Sequence, residues 1–291
     1  METTDILKKV RKIEIKSRGL SNQIFSGHYH SAFKGKGMVF SEVREYQFGD
    51  DVRAIDWNVT ARFGHPYIKI FEEERELTVM LLIDVSSSNL FGTRQEFKKD
   101  LIIELAATLA FSAINNNDKV GAIFFSNRIE KFISPAKGSK HILRIIHDMI
   151  NFQPEGTGTN ISEALRYLTN IIKKRTTTFI ISDFLDNKYK KSLQIASKKH
   201  DIAAIHVYDK AESQLLDLGL VKMLHPETHE EIWIDTSFNP VKKAYRQWWL
   251  KHTENLNSTF NSAGTDWVSI QTDEDFVKPL LKLFKMREKR F

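Results

Sequence analysis

From residue 77 onward, short unbroken apolar runs alternate with longer segments whose apolar residues recur at helical spacing. "LTVMLLID" (77–84), "KVGAIFFS" (119–126), "TTTFIISD" (176–183) and "IAAIHVYD" (202–209) are runs of strand length with little polar interruption. Strands of that kind are covered on both faces, as in a parallel sheet. "RIEKFISP" (128–135) alternates instead and follows 119–126 through a tight turn at Asn127, so it reads as a partner strand. "WVSIQT" (267–272) predicts a further strand, and residues 218–235 an antiparallel hairpin. Helical spacing marks 95–115, 138–151, 160–174, 188–199, 240–259 and a last helix from Asp275. Strands alternating with helices imply an α/β fold with a mostly parallel sheet and helices on both faces.

The first 76 residues look different. Residues 3–15 predict a short amphipathic helix, and a stretch rich in Gly and Ser follows. From Met38 to Glu76 charges alternate densely with aromatic residues. We divide the chain into an N-terminal extension, 1–76, packed on a domain at 77–291. In the extension, Arg44, Arg53 and Arg62 with Glu45, Asp50, Asp51 and Asp56 are expected to form an ion network on an apolar floor of Tyr46, Phe48 and Trp57. Gly49 would allow a sharp turn before a short helix at 50–57.

Composition narrows the function classes. The 291 residues are 41% hydrophobic, enough for a substantial core. There is no cysteine, which excludes disulfides, zinc thiolates and cysteine nucleophiles. No apolar run approaches the roughly 20 residues of a membrane span, and the N-terminus lacks a signal-peptide core. We therefore expect a cytoplasmic protein. The net charge of +6 permits anionic partners without demanding them. Nucleic acid is not an expected partner, because no stacking module or recognised binding motif is present. His225 and His229 read as turn residues rather than zinc ligands, and His28 and His30 as loop residues.

The candidate chemistry lies at strand ends. Asp84, Ser86, Ser87 and Ser88 directly follow an apolar run; Ser182-Asp183 end another; "EGTGTNIS" precedes the helix at 160. In parallel sheets, ligands bind at the carboxyl ends of strands. The spacing Asp-x-Ser-x-Ser turns Asp84, Ser86 and Ser88 to one side and Ser87 away. Thr159 would add a hydroxyl and Asp183 a second carboxylate. Oxygen donors without His or Cys suit a hard divalent cation: Mg²⁺, with Mn²⁺ or Ca²⁺ as alternatives. The alternatives at this cluster are a Ser-rich helix cap behind a strand-end acid and a metal-dependent hydrolase. A hydrolase needs a base, and none is evident in these loops. The cluster is expected at a surface-facing strand end.

Asp84-x-Ser86-x-Ser88, Gly158-Thr159-Asn160 and Ser182-Asp183 together resemble the metal-ion-dependent adhesion site of von Willebrand factor A domains. The resemblance implies that fold for 77–287, with the serines, the threonine and the aspartates around a metal whose shell a partner's carboxylate completes. Asn89 stands where a methionine is common, and Phe184 where a glycine often follows the aspartate. A second stretch, "FSEVREYQFGDDVRAIDWNVTARFGHPYIKIFEEERE" (40–76), resembles the signature of a bacterial family of unknown function, the fifty-eighth in the domain-of-unknown-function series. Arg44-Glu45-Tyr46, Gly49-Asp50-Asp51, Arg53, Asp56-Trp57 and Ala61-Arg62 carry that resemblance. The family is associated with MoxR-type AAA+ ATPases. Many members begin with two transmembrane helices; this chain resembles the shorter, soluble type. The resemblance implies a non-enzymatic interaction protein that grips an acidic residue of a partner, a MoxR-type ATPase or its client. A basic binder of nucleic acid or membrane surface is the third reading, and steep salt dependence would mark it.

Overall fold

A computed structural model of the chain describes residues 3–21, 39–72, 77–90, 98–156, 158–224 and 231–288. His28, His30, His225 and His229 lie outside the described residues. The chain forms two compact units, residues 34–77 on one hand and residues 1–33 with 78–291 on the other.

Among the described residues, the larger unit is built on a six-stranded sheet. Its strands are β3 (Thr78–Asp84), β4 (Lys119–Phe125), β5 (Ile129–Ala136), β6 (Thr177–Ser182), β7 (Asp201–Tyr208) and β10 (Asp266–Gln271), in the order β10-β7-β6-β3-β4-β5. All neighbours are parallel except β4 and β5; β5 is the partner strand expected at 128–135, and the tight turn before it makes the pair antiparallel. The unbroken apolar runs are the central strands, whose side chains must be apolar on both faces. Met80 and Leu82 of β3 join one core cluster with α5 (Ile161–Ile171), α6 (Lys190–Lys199) and α8 (Asn239–Ala263). Ile83 turns the other way, toward Ile102 and Ile103 of α3 (Lys98–Asn115) and Met149 of α4 (Ser139–Asn151).

Helix α3 is buried almost all round, from Leu101 through Ala113. A helix of that kind needs cover on more than its sheet-facing side. The cover comes from α1 (Thr3–Leu20). Its Val10 and Ile13 are buried, Lys9 reaches Asp100 at 2.6 Å, and Lys16 reaches Glu104 at 2.5 Å. The N-terminal helix therefore belongs to the sheet unit and not to one extension with 38–76. Its own sequence hides this, because the apolar stripe that seats it on α3 reads equally well as a free amphipathic helix.

The smaller unit holds an antiparallel pair, β1 (Val39–Glu45) and β2 (Tyr67–Glu72), with α2 (Trp57–Phe63) between them. The expected helix at 50–57 is instead a single 3₁₀ turn, Val52–Ala54, followed by α2. Asp56 caps α2 by accepting from the N–H groups of Asn58 and Val59, and Gly64 ends it at φ 74°, a conformation that favours glycine. Arg44 grips Asp50 through two parallel bonds of 2.8 and 2.9 Å. The expected aromatic floor is absent, since Phe48 and Trp57 are exposed. An antiparallel pair, β8 (Leu220–Leu224) and β9 (Glu231–Asp235), and two further helices, α7 (Lys210–Ser213) and α9 (Val277–Glu288), belong to the larger unit. No described helix is long and apolar enough to cross a membrane.

Arg287, near the end of α9, is buried and paired with Asp201 and Asp266, the first residues of β7 and β10. Replacing it with Met leaves two carboxylates facing an apolar side chain. We expect Arg287→Met to lower unfolding free energy by about 3 kcal/mol, the usual cost of breaking a buried pair. Urea denaturation of the two proteins checks this; a change under about 1 kcal/mol, typical of a surface pair, contradicts it.

Candidate metal centre

Parallel register brings the strand-end residues together. Asp84 is level with Phe125 on one side, and Ile83 with Ile181 on the other, so β3 and β6 end at the same height. Asp84 and Ser182 meet directly, the Ser182 hydroxyl donating to Asp84 Oδ2 at 2.5 Å. After Asp84 the chain turns at once. The Ser86 N–H donates to Asp84 Oδ1 at 3.0 Å, and a 3₁₀ turn runs from Ser87 to Leu90. Asn89 locks that turn by donating from Nδ2 to the Asp84 carbonyl at 3.0 Å. Here the residue that departs from the adhesion-site pattern has a structural task. Ser86 and Ser88 are buried with their hydroxyl oxygens 3.0 Å apart, and Ser87 is half-buried. Ser88 also hydrogen-bonds Asp183.

The loop bearing Thr159 reaches the same end of the sheet. Gly156 is pinned by its N–H to Glu130 Oε1 at 2.8 Å. A Cβ there would lie 2.1 Å from Ser126 Oγ, so only glycine lets the loop come this close. The Asn160 N–H then donates to the Ser126 carbonyl, just beyond β4, at 2.8 Å, and the Ile161 N–H donates to Asp186, just beyond β6. The loop thus bridges the ends of the two strands that flank β3. Thr159 Oγ1 is buried with no hydrogen-bond partner. An unpaired buried hydroxyl is costly, and such groups call for an explanation.

The cluster is not surface-facing, contrary to the expectation from sequence. Asp84, Ser86, Ser88 and Asp183 are all buried. Burial sets the electrostatics. Burial, reinforced by the neighbouring charge of Asp183, pushes Asp84 up to about 7. Burial also works to raise Asp183, but the ammonium of Lys98 and hydrogen bonds from Ser88, Lys98 and the Leu185 N–H hold it below the usual carboxylate range. Lys98, the first residue of α3, is fully buried between Asp183 (3.0 Å) and Glu212 (2.6 Å). Its two acids outweigh the cost of burial and raise its pKa. Sequence reasoning missed both Lys98 and Glu212. Lys98 sits in a run of charge, "FKKD", that looks like any solvated helix face. Glu212 carried a local signal, the capping box Asp209-x-x-Glu212 of α7, but nothing that placed it near Asp183.

Phe184 follows Asp183 with φ 52°, a left-handed conformation that is uncommon outside glycine. It stands at the position where the resembled pattern often has glycine, and the backbone keeps the shape. The ring is held at 5.1 Å from Phe260, edge to face, and 5.8 Å from Tyr189. Ring burial offsets a strain of about 1 kcal/mol. On the other side, a cavity of about 40 Å³ touches Asp84, Ser86 and Asn89. No group of three or more His, Cys, Asp or Glu side chains suited to a metal occurs among the described residues. Any cation here would depend on the hydroxyls.

The fold and cluster define a class: an α/β domain whose mostly parallel sheet ends in a buried carboxylate–hydroxyl centre. The chain belongs to the family described as protein of unknown function DUF58, which matches residues 42–255. It is 28% identical over 286 residues to an uncharacterized protein of Mycobacterium tuberculosis, covering 96% of this chain and 89% of that one. It is 33% identical over 110 residues to the uncharacterized protein YeaD of Bacillus subtilis, 36% of this chain and 25% of that one. A crystal structure of an aerotolerance-related membrane protein from Bacteroides fragilis is similar in fold, with a TM-score of 0.50 at 15% identity, covering 74% of this chain and all of that one.

The pKa of Asp84 gives a pH signature. The folded protein holds this proton up to about 7, whereas the unfolded chain releases it near 4. The proton's contribution to stability is thus full below about 4 and lost as pH rises through 7. Asp84→Asn keeps the shape without the charge. In metal-free buffer we expect the variant to be more stable than the parent at pH 8 by roughly 2–4 kcal/mol, and to show little advantage at pH 4. Denaturant unfolding across this range checks it.

Proposed function

We propose that this chain is a non-enzymatic protein-interaction module of the von Willebrand A type, which holds a divalent cation at Asp84, Ser86, Ser88, Thr159 and Asp183 and uses it to grip an acidic side chain of a partner. The observation that carries this reading is the unpartnered, buried Thr159 hydroxyl, delivered to the same sheet end as two buried carboxylates and two facing serines. The donor set is all oxygen, which suits Mg²⁺, with Mn²⁺ and Ca²⁺ as alternatives.

The charges also fit. Asp84, Asp183 and Glu212 carry three negative charges when ionised, and Lys98 returns one, leaving two for a dication to balance. Without a cation, Asp84 relieves the excess by keeping its proton. The cavity beside Asp84 has room for a water or two, which Mg²⁺ usually retains. A bound cation supplies a positive centre that can exchange water for a carboxylate. The half-exposed Gly158–Thr159 segment is the side from which that ligand would enter.

Recognition suits the neighbours better than hydrolysis does. Lys98 is committed to two carboxylates. Burial, with His252 close by, depresses His206 to about 3, and its Nδ1 faces Ser269 Oγ at 3.0 Å. Near neutral pH Lys98 stays protonated, and His206, though neutral, is too weak a base to take up a proton. The partner class implied by the family resemblance is a MoxR-type AAA+ ATPase or its client, met in the cytoplasm.

Thr159→Ala tests the reading sharply. Removing a hydroxyl that bonds nothing should leave metal-free stability unchanged or slightly higher, whereas losing one ligand should weaken Mg²⁺ binding about tenfold, or 1.4 kcal/mol. Calorimetric titration of Mg²⁺ into both proteins measures this. Capture of a purified MoxR-type ATPase in Mg²⁺ and in EDTA measures the consequence. Equal Mg²⁺ affinity in parent and variant would overturn the metal site, and capture that survives EDTA would overturn its use.

A further inference from the structure

Lys98 reaches the strand-end centre from outside the loops that form it. It is the first residue of α3, and its ammonium is fully buried, 3.0 Å from Asp183 Oδ2 and 2.6 Å from Glu212 Oε1. The neighbouring Lys99 turns elsewhere, to the carbonyls of Ile150 and Phe152 at 3.2 Å. Taking an ammonium out of water is costly, and an apolar side chain could fill the same space without that cost. The ammonium does one thing that an apolar side chain would not: it occupies one oxygen of Asp183.

The oxygens of the two central acids are unequally engaged. Asp183 Oδ2 faces the Lys98 ammonium, whereas Oδ1 meets the Leu185 N–H at a long 3.4 Å. An oxygen 3.0 Å from an ammonium is closed to a second cation by like-charge repulsion, which is strong in a buried site. Asp183 therefore offers a cation one oxygen and cannot grip it with both. Asp84 carries a hydrogen bond on each oxygen, from the Ser182 hydroxyl at 2.5 Å and the Ser86 N–H at 3.0 Å, which also disfavours a two-point grip. Ca²⁺ takes roughly six to eight oxygens and often holds a carboxylate by both, whereas Mg²⁺ takes about six and retains water. Single contacts from Asp84, Ser86, Ser88, Thr159 and Asp183, with a water in the cavity of about 40 Å³ beside Asp84, suit the smaller number.

We propose that Lys98 is a positioning residue that makes this centre select a small six-coordinate cation, Mg²⁺ or Mn²⁺, and reject Ca²⁺. It acts through Asp183, by withholding Oδ2. Glu212 cancels the charge that Lys98 brings, so the two central acids still present two negative charges to the ion. A Lys98 with a structural role alone would tie α3 and α7 to Asp183 without influencing the choice of ion. This role of Lys98 presupposes the cation site proposed above, and the test separates the two.

The probes are Mg²⁺ and Ca²⁺, each titrated calorimetrically at pH 8 into the full chain and two variants whose folding is checked by circular dichroism. Lys98→Met with Glu212→Gln removes the ammonium and its counter-charge together. The centre keeps the parent's net charge, and Asp183 Oδ2 is set free. Glu212→Gln alone keeps the ammonium in place. The parent should bind Mg²⁺ at least about tenfold more tightly than Ca²⁺. Glu212→Gln should weaken both ions and leave their ratio unchanged. The double variant should gain about tenfold for Ca²⁺ and lose the preference. Equal affinity of the parent for the two ions, an unchanged ratio in the folded double variant, or a ratio that moves toward Ca²⁺ in Glu212→Gln would each overturn the role of Lys98 and leave the cation site standing. If the double variant does not fold, the parent and Glu212→Gln still decide the matter by their ratios. Binding of neither ion by the parent would overturn both.

Discussion

Two carboxylates lie buried side by side where β3 and β6 leave the sheet, and much of the surrounding structure answers to their charge. A carboxylate out of water demands donors, a counter-ion or a proton. Asp183 has the counter-ion, Lys98, whose burial is in turn made tolerable by Glu212. Asp84 has the Ser182 and Ser86 hydroxyls and the Ser86 N–H as donors, and no cation of its own among the described residues. That asymmetry separates their pKa values in opposite directions. With Asp84, Asp183 and Glu212 all ionised and one charge returned by Lys98, the centre is left with two negative charges in excess. The proposed cation site follows from this imbalance as much as from the pattern of serines.

The network extends through the helical side of the domain. Glu212 belongs to α7, whose cap Asp209 accepts from Thr272 just beyond β10, while Tyr245 of α8 donates to the Glu212 carbonyl. Phe184 links the centre to the core in the other direction, trading a strained backbone angle for contact with Phe260 and Tyr189. The cluster is therefore held by core packing and not only by its loops, which favours a fixed geometry.

Local pattern determined most of the architecture. The unbroken runs at 77–84, 119–126, 176–183 and 202–209 read as doubly covered strands, and the alternating run at 128–135 as a partner strand reached through a tight turn. Those facts fix where strands end, and so where Asp84 and Asp183 sit along the chain. Tertiary structure decided what local pattern cannot encode. The covering of α3 by α1 depends on two stripes meeting across about 90 residues of chain. The aromatic residues of 38–63 looked like a floor because hydrophobicity says nothing of direction, and Phe48 and Trp57 turn outward. Lys98 and Glu212 were invisible for the same reason. A charge on a helix reads as solvated until the sheet and two acids close around it, and burial, which shifts every pKa in the centre, is a property of the folded volume rather than of any residue in it.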